Sequence, residues 1–228
     1  MIHELARLRD RTRVFRDRGE AGAVLTGMLA RNIPPGARIL AIPAGGVPVA
    51  LPLARALGVP LDVAVVSKIT PSWHSEAGYG AVAFDGRVRV DEARREQLGV
   101  AASEVGKDVD RTAARVRRRV ERFRGGRGPV VAPGDAAVLV DDGLASGVTM
   151  ATAAEAVRAA GAARIVVAVP TASEEAAKRL AEVAEEVYCA NLRAGPRFAV
   201  ADAYVEWFDL DDAAVLEILT RSADGNLP

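Results

Sequence analysis

The sequence AAVLVDDGLASGVTM at residues 136–150 places an apolar stretch before a polar turn that contains two glycines. Its first five residues form a short, continuous apolar run, which is typical of a parallel strand buried on both faces. Two aspartates and several small and hydroxyl residues follow, and then a helical pattern from about Thr149 to Ala160 that Gly161 ends. Strand, turn and helix in this order predict a unit of a parallel α/β sheet, with the turn at the carboxyl edge of the strand.

The turn at residues 141–149 has the composition of a phosphate site. The backbone N–H groups of residues 144–148 can point into a concavity at the helix N-terminus, where the helix dipole stabilises an anion by about 0.3 to 1 kcal/mol. The hydroxyls of Ser146 and Thr149 add donors, and Gly143 and Gly147 allow a ligand to approach the backbone closely. The turn is therefore predicted to bind a phosphate group.

The two acids of the turn, Asp141 and Asp142, need a different ligand group because carboxylates repel phosphate. A sugar diol fits, since a carboxylate accepts hydroxyl hydrogen bonds that are about twice as strong as neutral ones. Acids and a phosphate site a few residues apart predict binding of a ribose 5-phosphate. The alternative is structural: the acids cap a helix and the glycines turn the chain.

The rest of the chain extends this pattern into a doubly wound parallel sheet of about five strands. Strands are predicted at Ala37–Ile42, Leu61–Val66, Ala136–Val140, Arg164–Val169 and Val187–Ala190. Helices are predicted at Glu20–Arg31, Val47–Leu57, Asp91–Arg124 and Thr149–Ala160, and from a capping box at Thr171–Glu174 to about Glu185. Residues 68–80 are loop-like, and Ala81–Phe84 with Arg87–Val90 form a hairpin around an Asp-Gly turn. We expect one α/β domain over residues 1–228, with an inserted antiparallel hairpin arm at 68–90 and a tail from residue 193.

The composition favours a small ligand. Thirty basic and 30 acidic residues among 228 leave no net charge that would attract nucleic acid or an anionic membrane. The single cysteine, Cys189, lies in an apolar run and is expected to be structural rather than nucleophilic. No apolar stretch reaches the roughly 18 residues of a membrane span, and no export signal is expected. These features predict a cytoplasmic protein without a membrane partner.

Residues Val138 to Thr149 resemble the phosphoribosyl pyrophosphate (PRPP) signature of the type I phosphoribosyltransferases. The resemblance extends over roughly Glu20 to Leu210, although Gly143 stands where that family more often has a branched aliphatic residue. It implies that Asp141 and Asp142 bind the ribose hydroxyls. It also implies that the 5-phosphate is bound by Gly143, Leu144, Ala145, Ser146, Gly147, Val148 and Thr149.

The same resemblance implies a pyrophosphate site formed by Ala44, Gly45, Gly46 and Lys68. The family's loop after the first core strand often carries an arginine or lysine, and Ala44 offers neither, so backbone N–H groups would bind the ligand here. A plain strand-to-helix turn is the alternative for residues 43–46. Lys68 matches the basic residue that the family places near the pyrophosphate.

The hairpin arm resembles the family's flexible loop, which closes over the site and excludes water. The resemblance implies that Glu76 or His74 manages a proton on the base and that Lys68 is the third catalytic residue. In the alternative interpretation, His74 and Glu76 are solvated side chains without a role.

The tail at residues 193–228 resembles the family's hood, which packs on the nucleobase. Phe198, Tyr204, Trp207 and Phe208 could supply a stacking surface, or they could serve as core or dimer contacts. Ala145 stands where the hypoxanthine and guanine enzymes carry an aspartate, which argues against a standard 6-oxopurine acceptor. Adenine-like, orotate-like and other nucleophiles remain open.

The implied reaction is the Mg²⁺-dependent transfer of ribose 5-phosphate from PRPP to a nitrogenous base, with release of pyrophosphate. No protein metal cage is expected, so that Mg²⁺ would arrive on the substrate, and a homodimer is expected by resemblance only. A regulator that senses PRPP without catalysis is the main alternative, and a Rossmann dehydrogenase is disfavoured because Gly-x-Gly-x-x-Gly is missing after the first strand. The regulator could bind nucleic acid through a basic helix, although a solvated helix face is the simpler interpretation. That helix carries Arg115, Arg117, Arg118, Arg119, Arg122 and Arg124.

Overall fold

The computed structural model describes residues 1–74, 77–195 and 197–223, which form nine strands and seven α-helices. The strands are β1 (Ile2–Glu4), β2 (Arg38–Ala41), β3 (Leu61–Val63), β4 (Val66–Ile69), β5 (Gly80–Ala83), β6 (Val88–Val90), β7 (Ala136–Val140), β8 (Arg164–Ser173) and β9 (Glu186–Arg193). The helices are α1 (Arg18–Leu29), α2 (Gly46–Leu57), α3 (Glu92–Gln97), α4 (Ala102–Arg124), α5 (Val148–Ala159), α6 (Glu174–Leu180) and α7 (Asp212–Ala223). None of the described helices is long and apolar enough to cross a membrane.

Six strands form a parallel sheet in the order β1-β9-β8-β7-β2-β3. Strand β7 lies beside β2, and Val140 is in register with Ala41. Because both strands point the same way, the turn after β2 and the turn after β7 leave the same edge of the sheet side by side. The topology therefore brings the two predicted ligand-binding turns together.

Both faces of this sheet are covered by apolar layers. Along β2, Ile39 and Ala41 pack in the layer that contains helices α1 and α2, whereas Leu40 packs in the layer that contains α5 and α6. Strand β7 alternates in the same way, with Val138 in the first layer and Leu139 in the second. Burial on both faces explains the continuous apolar runs of the sequence and confirms the doubly wound α/β fold.

The parallel sheet holds the five predicted strands and one more. Strand β1 pairs with β9 at the sheet edge, and its three residues are too few to produce a recognisable sequence pattern. The predicted strand at Leu61–Val66 is two strands, since β3 ends at Val63 and Val66 begins β4 in a second sheet. Ala64 and Val65 between them are fully buried, so the apolar run conceals the break.

The second sheet is antiparallel, in the order β4-β5-β6. The hairpin of β5 and β6 agrees with the prediction, but residues 68 and 69, which were expected in a loop, belong to β4. Exposed Lys68 lies between buried Ser67 and Ile69, so only one period of the strand's alternation is visible in the sequence.

The predicted capping box at Thr171–Glu174 is wrong, because Thr171 is not the N-cap residue of the helix. Thr171 lies inside β8 and its hydroxyl donates to Asn191 Oδ1 at 2.7 Å, because β8 continues four residues past its predicted end. Ser173 caps α6 instead, and its Oγ accepts from the Ala176 amide at 3.1 Å. The helix ends at Leu180, five residues before the predicted end.

Candidate functional site

The turn after β2 lies directly against the acids after β7. A β-carbon at Gly45 would lie 1.9 Å from Asp142 Oδ2, and one at Gly46 would lie 2.4 Å from the carbonyl oxygen of Val140. Only glycine at both positions allows this approach. The Pro43–Ala44 peptide is cis. The structure thus brings the residues predicted for pyrophosphate and for ribose into contact.

The acid pair lies at the carboxyl end of β7 in a desolvated position. The amide of Asp142 donates to Asp141 Oδ1 at 2.9 Å. Burial raises the pKa of Asp141 well above its usual value, and repulsion from Asp142 raises it further. Burial also raises the pKa of Asp142, whereas the positive charges of Arg18 and Lys68 act in the opposite direction. Two adjacent half-buried acids with raised pKa values are typical of a ligand site.

Arg18 is a site residue that the sequence analysis missed. Its Nε donates to Asp142 Oδ2 at 2.9 Å, its Nη2 forms an ion pair with the same oxygen at 2.8 Å, and its Nη1 donates to the carbonyl of Phe208 at 2.8 Å. The residue is only 7% exposed. Asp17, which precedes it and caps α1 by accepting from the Glu20 amide, could be recognised as a helix start. Nothing in the sequence distinguishes Arg18 itself from the many other arginines.

The aromatic residues of the tail lie in two places. Tyr204 is buried and its hydroxyl donates to the carbonyl of Asp142 at 2.6 Å. The Trp207 ring centroid lies 3.9 Å from Arg18 Cζ, and Phe208 is 59% exposed beside it. Phe198 lies instead under Arg193, 5.3 Å from its Cζ. Tyr204, Trp207 and Phe208 are therefore near the acid pair, whereas Phe198 packs on a different side chain.

The turn after the acids is tied to the neighbouring strand at Leu144. The Leu144 amide donates to the carbonyl of Thr171 at 3.0 Å, and the Ser173 amide donates to the carbonyl of Leu144 at 3.0 Å. The Leu144 amide, one of those predicted to bind phosphate, is thus engaged within the protein. This anchorage fixes the turn against β8.

The remainder of the turn offers four backbone donors to a ligand. Gly147 has a φ of +76° and is the N-cap residue of α5. The backbone amides of four residues donate to no acceptor within residues 1–74, 77–195 and 197–223. These residues are Ala145, Ser146, Gly147 and Thr149. Helix N-termini with unpaired amides favour anions.

Gly143 is required by a contact with the tail. A β-carbon there would lie 2.5 Å from Val200 Cγ1 and 3.0 Å from Thr171 Cγ2. Val200 therefore fills the space that a branched side chain at position 143 would need, which gives a physical reason for the glycine at this place in the signature.

A cavity of about 630 Å³ opens between the turn at residues 145–149 and the antiparallel sheet. Lys68 lines it together with Ser146 and Thr149, and its charge acts on both aspartates. Arg94 and Arg179 line the same cavity, and Arg179 Nη1 donates to the carbonyl of Ser146 at 3.2 Å. Asp91 and Glu175 also line the cavity, and Glu175 pairs with Arg179, so the three basic residues exceed the acidic ones by a single charge.

Comparison with known proteins agrees with this geometry. No profile of a known protein family matches the chain. Two Mycobacterium tuberculosis proteins, each carrying the name "Putative phosphoribosyl transferase", are 39% identical over 216 residues, which cover 92% of this chain and 47% of theirs. The crystal structure of TT1426 from Thermus thermophilus is 36% identical and covers 90% of this chain and 97% of that one, with a TM-score of 0.71.

The chain is thus similar over most of its length to proteins named as phosphoribosyltransferases. It spans about half the length of the curated relatives it matches. The resemblance inferred from the PRPP signature is thereby confirmed.

The hairpin arm at residues 68–90 carries the predicted proton-transfer residues. His74 follows β4, its amide donates to the carbonyl of Pro71 at 3.1 Å, and its ring centroid lies 6.0 Å from that of Trp73. Glu76 lies outside the described residues. Trp73 is 60% exposed.

Three of the six arginines considered for nucleic-acid binding make internal contacts. Arg115 donates to the carbonyl of Lys68 at 2.8 Å, and Arg119 pairs with Asp212 at 2.8 Å. Arg124 is largely buried and pairs with buried Asp62 at 3.0 Å. The basic helix α4 therefore contacts the antiparallel sheet, α7 and β3 through these arginines.

The only cysteine of the chain is buried in β9. Burial raises the pKa of the Cys189 thiol to about 12. A thiol in this state is not a nucleophile at neutral pH.

Proposed function

We propose that this protein transfers ribose 5-phosphate from PRPP to a nitrogenous base and releases pyrophosphate, with inversion at C1. The observation that carries the proposal is the contact of Gly45 with Asp142 beside the unpaired amides at the start of α5. Subsites for pyrophosphate, ribose and 5-phosphate then follow one another along one edge of the sheet, in the order in which PRPP carries these groups.

The ribose 5-phosphate half is the better supported part of the proposal. Asp141 and Asp142 would accept hydrogen bonds from the ribose hydroxyls. The 5-phosphate would accept from the amides of residues 145–147 and from the Thr149 hydroxyl, at the positive end of α5.

The pyrophosphate would bind at the turn after β2. The Gly46 amide donates to the carbonyl of Ile42 at 3.0 Å, whereas no acceptor is bonded to the amides of Ala44 and Gly45 among the described residues. These two amides and the Lys68 ammonium would stabilise the negative charge that develops as the leaving group departs.

Magnesium is proposed to enter with the substrate. Among the described residues, no three His, Cys, Asp or Glu side chains are grouped as a metal cage. Mg²⁺ usually keeps several waters and binds largely through substrate phosphates, so it would enter on PRPP without a protein cage. When bound, the ion would neutralise charge on the pyrophosphate.

The acceptor is proposed to be a base other than a standard 6-oxopurine. Ala145 lines the cavity and has no carboxylate for a purine N7. The base would pack against the hood at Trp207 and Phe208, and His74 or Glu76 of the arm would manage its proton. We also propose that residues 1–228 act as one such unit in the cytoplasm and, by family resemblance, as a homodimer.

The test is a screen of nucleobases, orotate and nicotinate for pyrophosphate release from PRPP with Mg²⁺. The expected result is release with one class of base, and its loss in Asp141→Asn/Asp142→Asn. Asp110→Asn, on the exposed face of α4, is the matched control and should retain activity. PRPP binding without release for any base would contradict catalysis and favour a sensor.

A further inference from the structure

We propose that Arg18 is a positioning residue of the ribose site, which holds the Asp142 carboxylate in place and couples it to the hood; this inference rests on the proposed function. The residue lies 124 positions before Asp142, at the start of α1. Its role follows from three contacts made by one guanidinium group.

The first contact fixes the carboxylate. Arg18 Nε donates to Oδ2 of Asp142 at 2.9 Å, and Arg18 Nη2 lies 2.8 Å from the same oxygen. The same oxygen faces the Cα of Gly45, where a β-carbon would lie only 1.9 Å away. The hydrogen bond and the ion-pair contact of Arg18 both end on this one oxygen, and Arg18 donates no hydrogen bond to Oδ1. The carboxylate is therefore held by one oxygen and presents the other to a ribose hydroxyl.

The second and third contacts hold the guanidinium itself. Its Nη1 donates to the carbonyl of Phe208 at 2.8 Å, and its Cζ lies 3.9 Å from the centroid of the Trp207 ring. A planar guanidinium makes both contacts at once, which a lysine ammonium cannot reproduce. Because Arg18 is 7% exposed, water competes little for these bonds.

The hood makes a second contact with Asp142, at the backbone carbonyl of that residue. The Tyr204 hydroxyl donates to the carbonyl of Asp142 at 2.6 Å. Asp142 is thus connected to the hood at its carbonyl through Tyr204 and at its carboxylate through Arg18. A base that packs on the hood would therefore affect the position of Asp142 through Tyr204 and Arg18.

The charge of Arg18 has a chemical consequence for Asp142. Burial raises the pKa of this carboxyl, and Arg18 is the strongest group acting against that rise. The other groups around it are Asp141, Lys68 and the Tyr204 hydroxyl. Without Arg18, Asp142 would take up a proton at a higher pH, and a neutral carboxyl is a weaker acceptor for a sugar hydroxyl.

The experiment compares Arg18→Gln and Arg18→Lys with the parent protein and with Arg16→Gln. Arg16 is 68% exposed and its side chain pairs with neighbouring Asp17, so it is the matched control. The affinity for PRPP with Mg²⁺ is measured by titration calorimetry between pH 5 and pH 8. We expect Arg18→Gln to bind about 10- to 100-fold more weakly, as for loss of a charged hydrogen-bonded partner. Its affinity should also begin to fall at a higher pH on acidification, and Arg18→Lys should restore the pH profile but not the full affinity.

Two results would overturn the inference. One is a parent-like affinity in Arg18→Gln, and the other is an equal loss at every pH, which a merely structural role would produce. A second measurement needs no ligand: the titration of the Asp142 carboxyl by NMR must shift upward in Arg18→Gln and not in Arg16→Gln. If the parent protein itself fails to bind PRPP, the proposed function is wrong; if the parent binds and the Asp142 titration is unmoved by Arg18→Gln, only the role of Arg18 is wrong.

Discussion

Gly45 touches the carboxylate of Asp142 so closely that a β-carbon at position 45 would lie 1.9 Å from Asp142 Oδ2. Residue 45 and Asp142 therefore cannot both keep their positions if residue 45 carries a side chain. We expect Gly45→Ala to weaken PRPP binding by about tenfold or more, because displacement of a ligand-binding carboxylate by about 1 Å is costly. Titration calorimetry measures the affinity.

The control for this prediction is Gly27→Ala, near the end of α1. A β-carbon at Gly27 meets no atom within 4 Å. This variant should bind PRPP like the parent and gain roughly 0.5 to 1 kcal/mol in unfolding free energy. Equal affinity in Gly45→Ala and Gly27→Ala would contradict the assigned contact.

Asp141→Asn should stabilise the free protein at neutral pH while it weakens ligand binding. Burial raises the folded-state pKa of Asp141, so the native carboxyl stabilises the fold at low pH and loses that contribution as pH rises through its folded pKa. Asparagine is uncharged at every pH, so the variant does not lose this stability as pH rises. Each unit by which the pKa is raised corresponds to about 1.4 kcal/mol of unfolding free energy. For a chain of this length, each kcal/mol shifts Tm by about 2 to 4 °C.

Thermal unfolding from pH 4 to pH 8 checks the sign. The Tm difference between Asp141→Asn and the parent should be small at acidic pH and should grow as pH increases. A difference that shrinks with rising pH would show that the Asp141 charge stabilises the fold.

Gly143→Ala should destabilise the protein through its contact with Val200. A β-carbon at position 143 would lie 2.5 Å from Val200 Cγ1, and overpacking of this kind costs about 1 to 3 kcal/mol. Val200→Ala removes the clashing methyl groups, so the double variant should recover most of the loss. A double-mutant cycle by chemical denaturation measures this coupling, and strictly additive effects would disprove it.

Arg124→Met should destabilise the fold by about 3 to 5 kcal/mol, because it leaves the buried Asp62 carboxylate without its nearest partner. Arg117→Met, on the exposed face of the same helix, should change the unfolding free energy by less than about 0.5 kcal/mol. Urea denaturation of both variants provides the comparison. Similar effects of the two substitutions would mean that the ion pair does not stabilise the protein.

The parts of the fold that the sequence predicts are those with local signals. The apolar run at 136–140, the acids and the glycines lie close together in the chain, so the strand, turn and helix around them were predicted almost to the residue. The proximity of the turn at 43–46 to this site followed from the family resemblance and from parallel topology. Its atomic closeness, with Gly45 against Asp142, depends on the register of β2 and β7, which no local pattern encodes.

The parts that sequence analysis missed depend on contacts between distant residues. Arg18 and Asp142 are separated by 124 positions, and an arginine at the start of a helix carries no signal of its partner. Strand β4 was hidden because the apolar run continues through the buried link from β3. The engagement of the Leu144 amide by Thr171 likewise arises from the length of β8, which depends on its pairing with β9.

The most direct test of the central claim is the calorimetric titration of the parent protein with PRPP and Mg²⁺, beside Asp141→Asn/Asp142→Asn and Asp110→Asn. The claim that residues 141–149 bind ribose 5-phosphate predicts saturable binding by the parent and by Asp110→Asn, and loss of binding by the folded double variant. No binding by the parent, or unchanged affinity in the double variant, would contradict it.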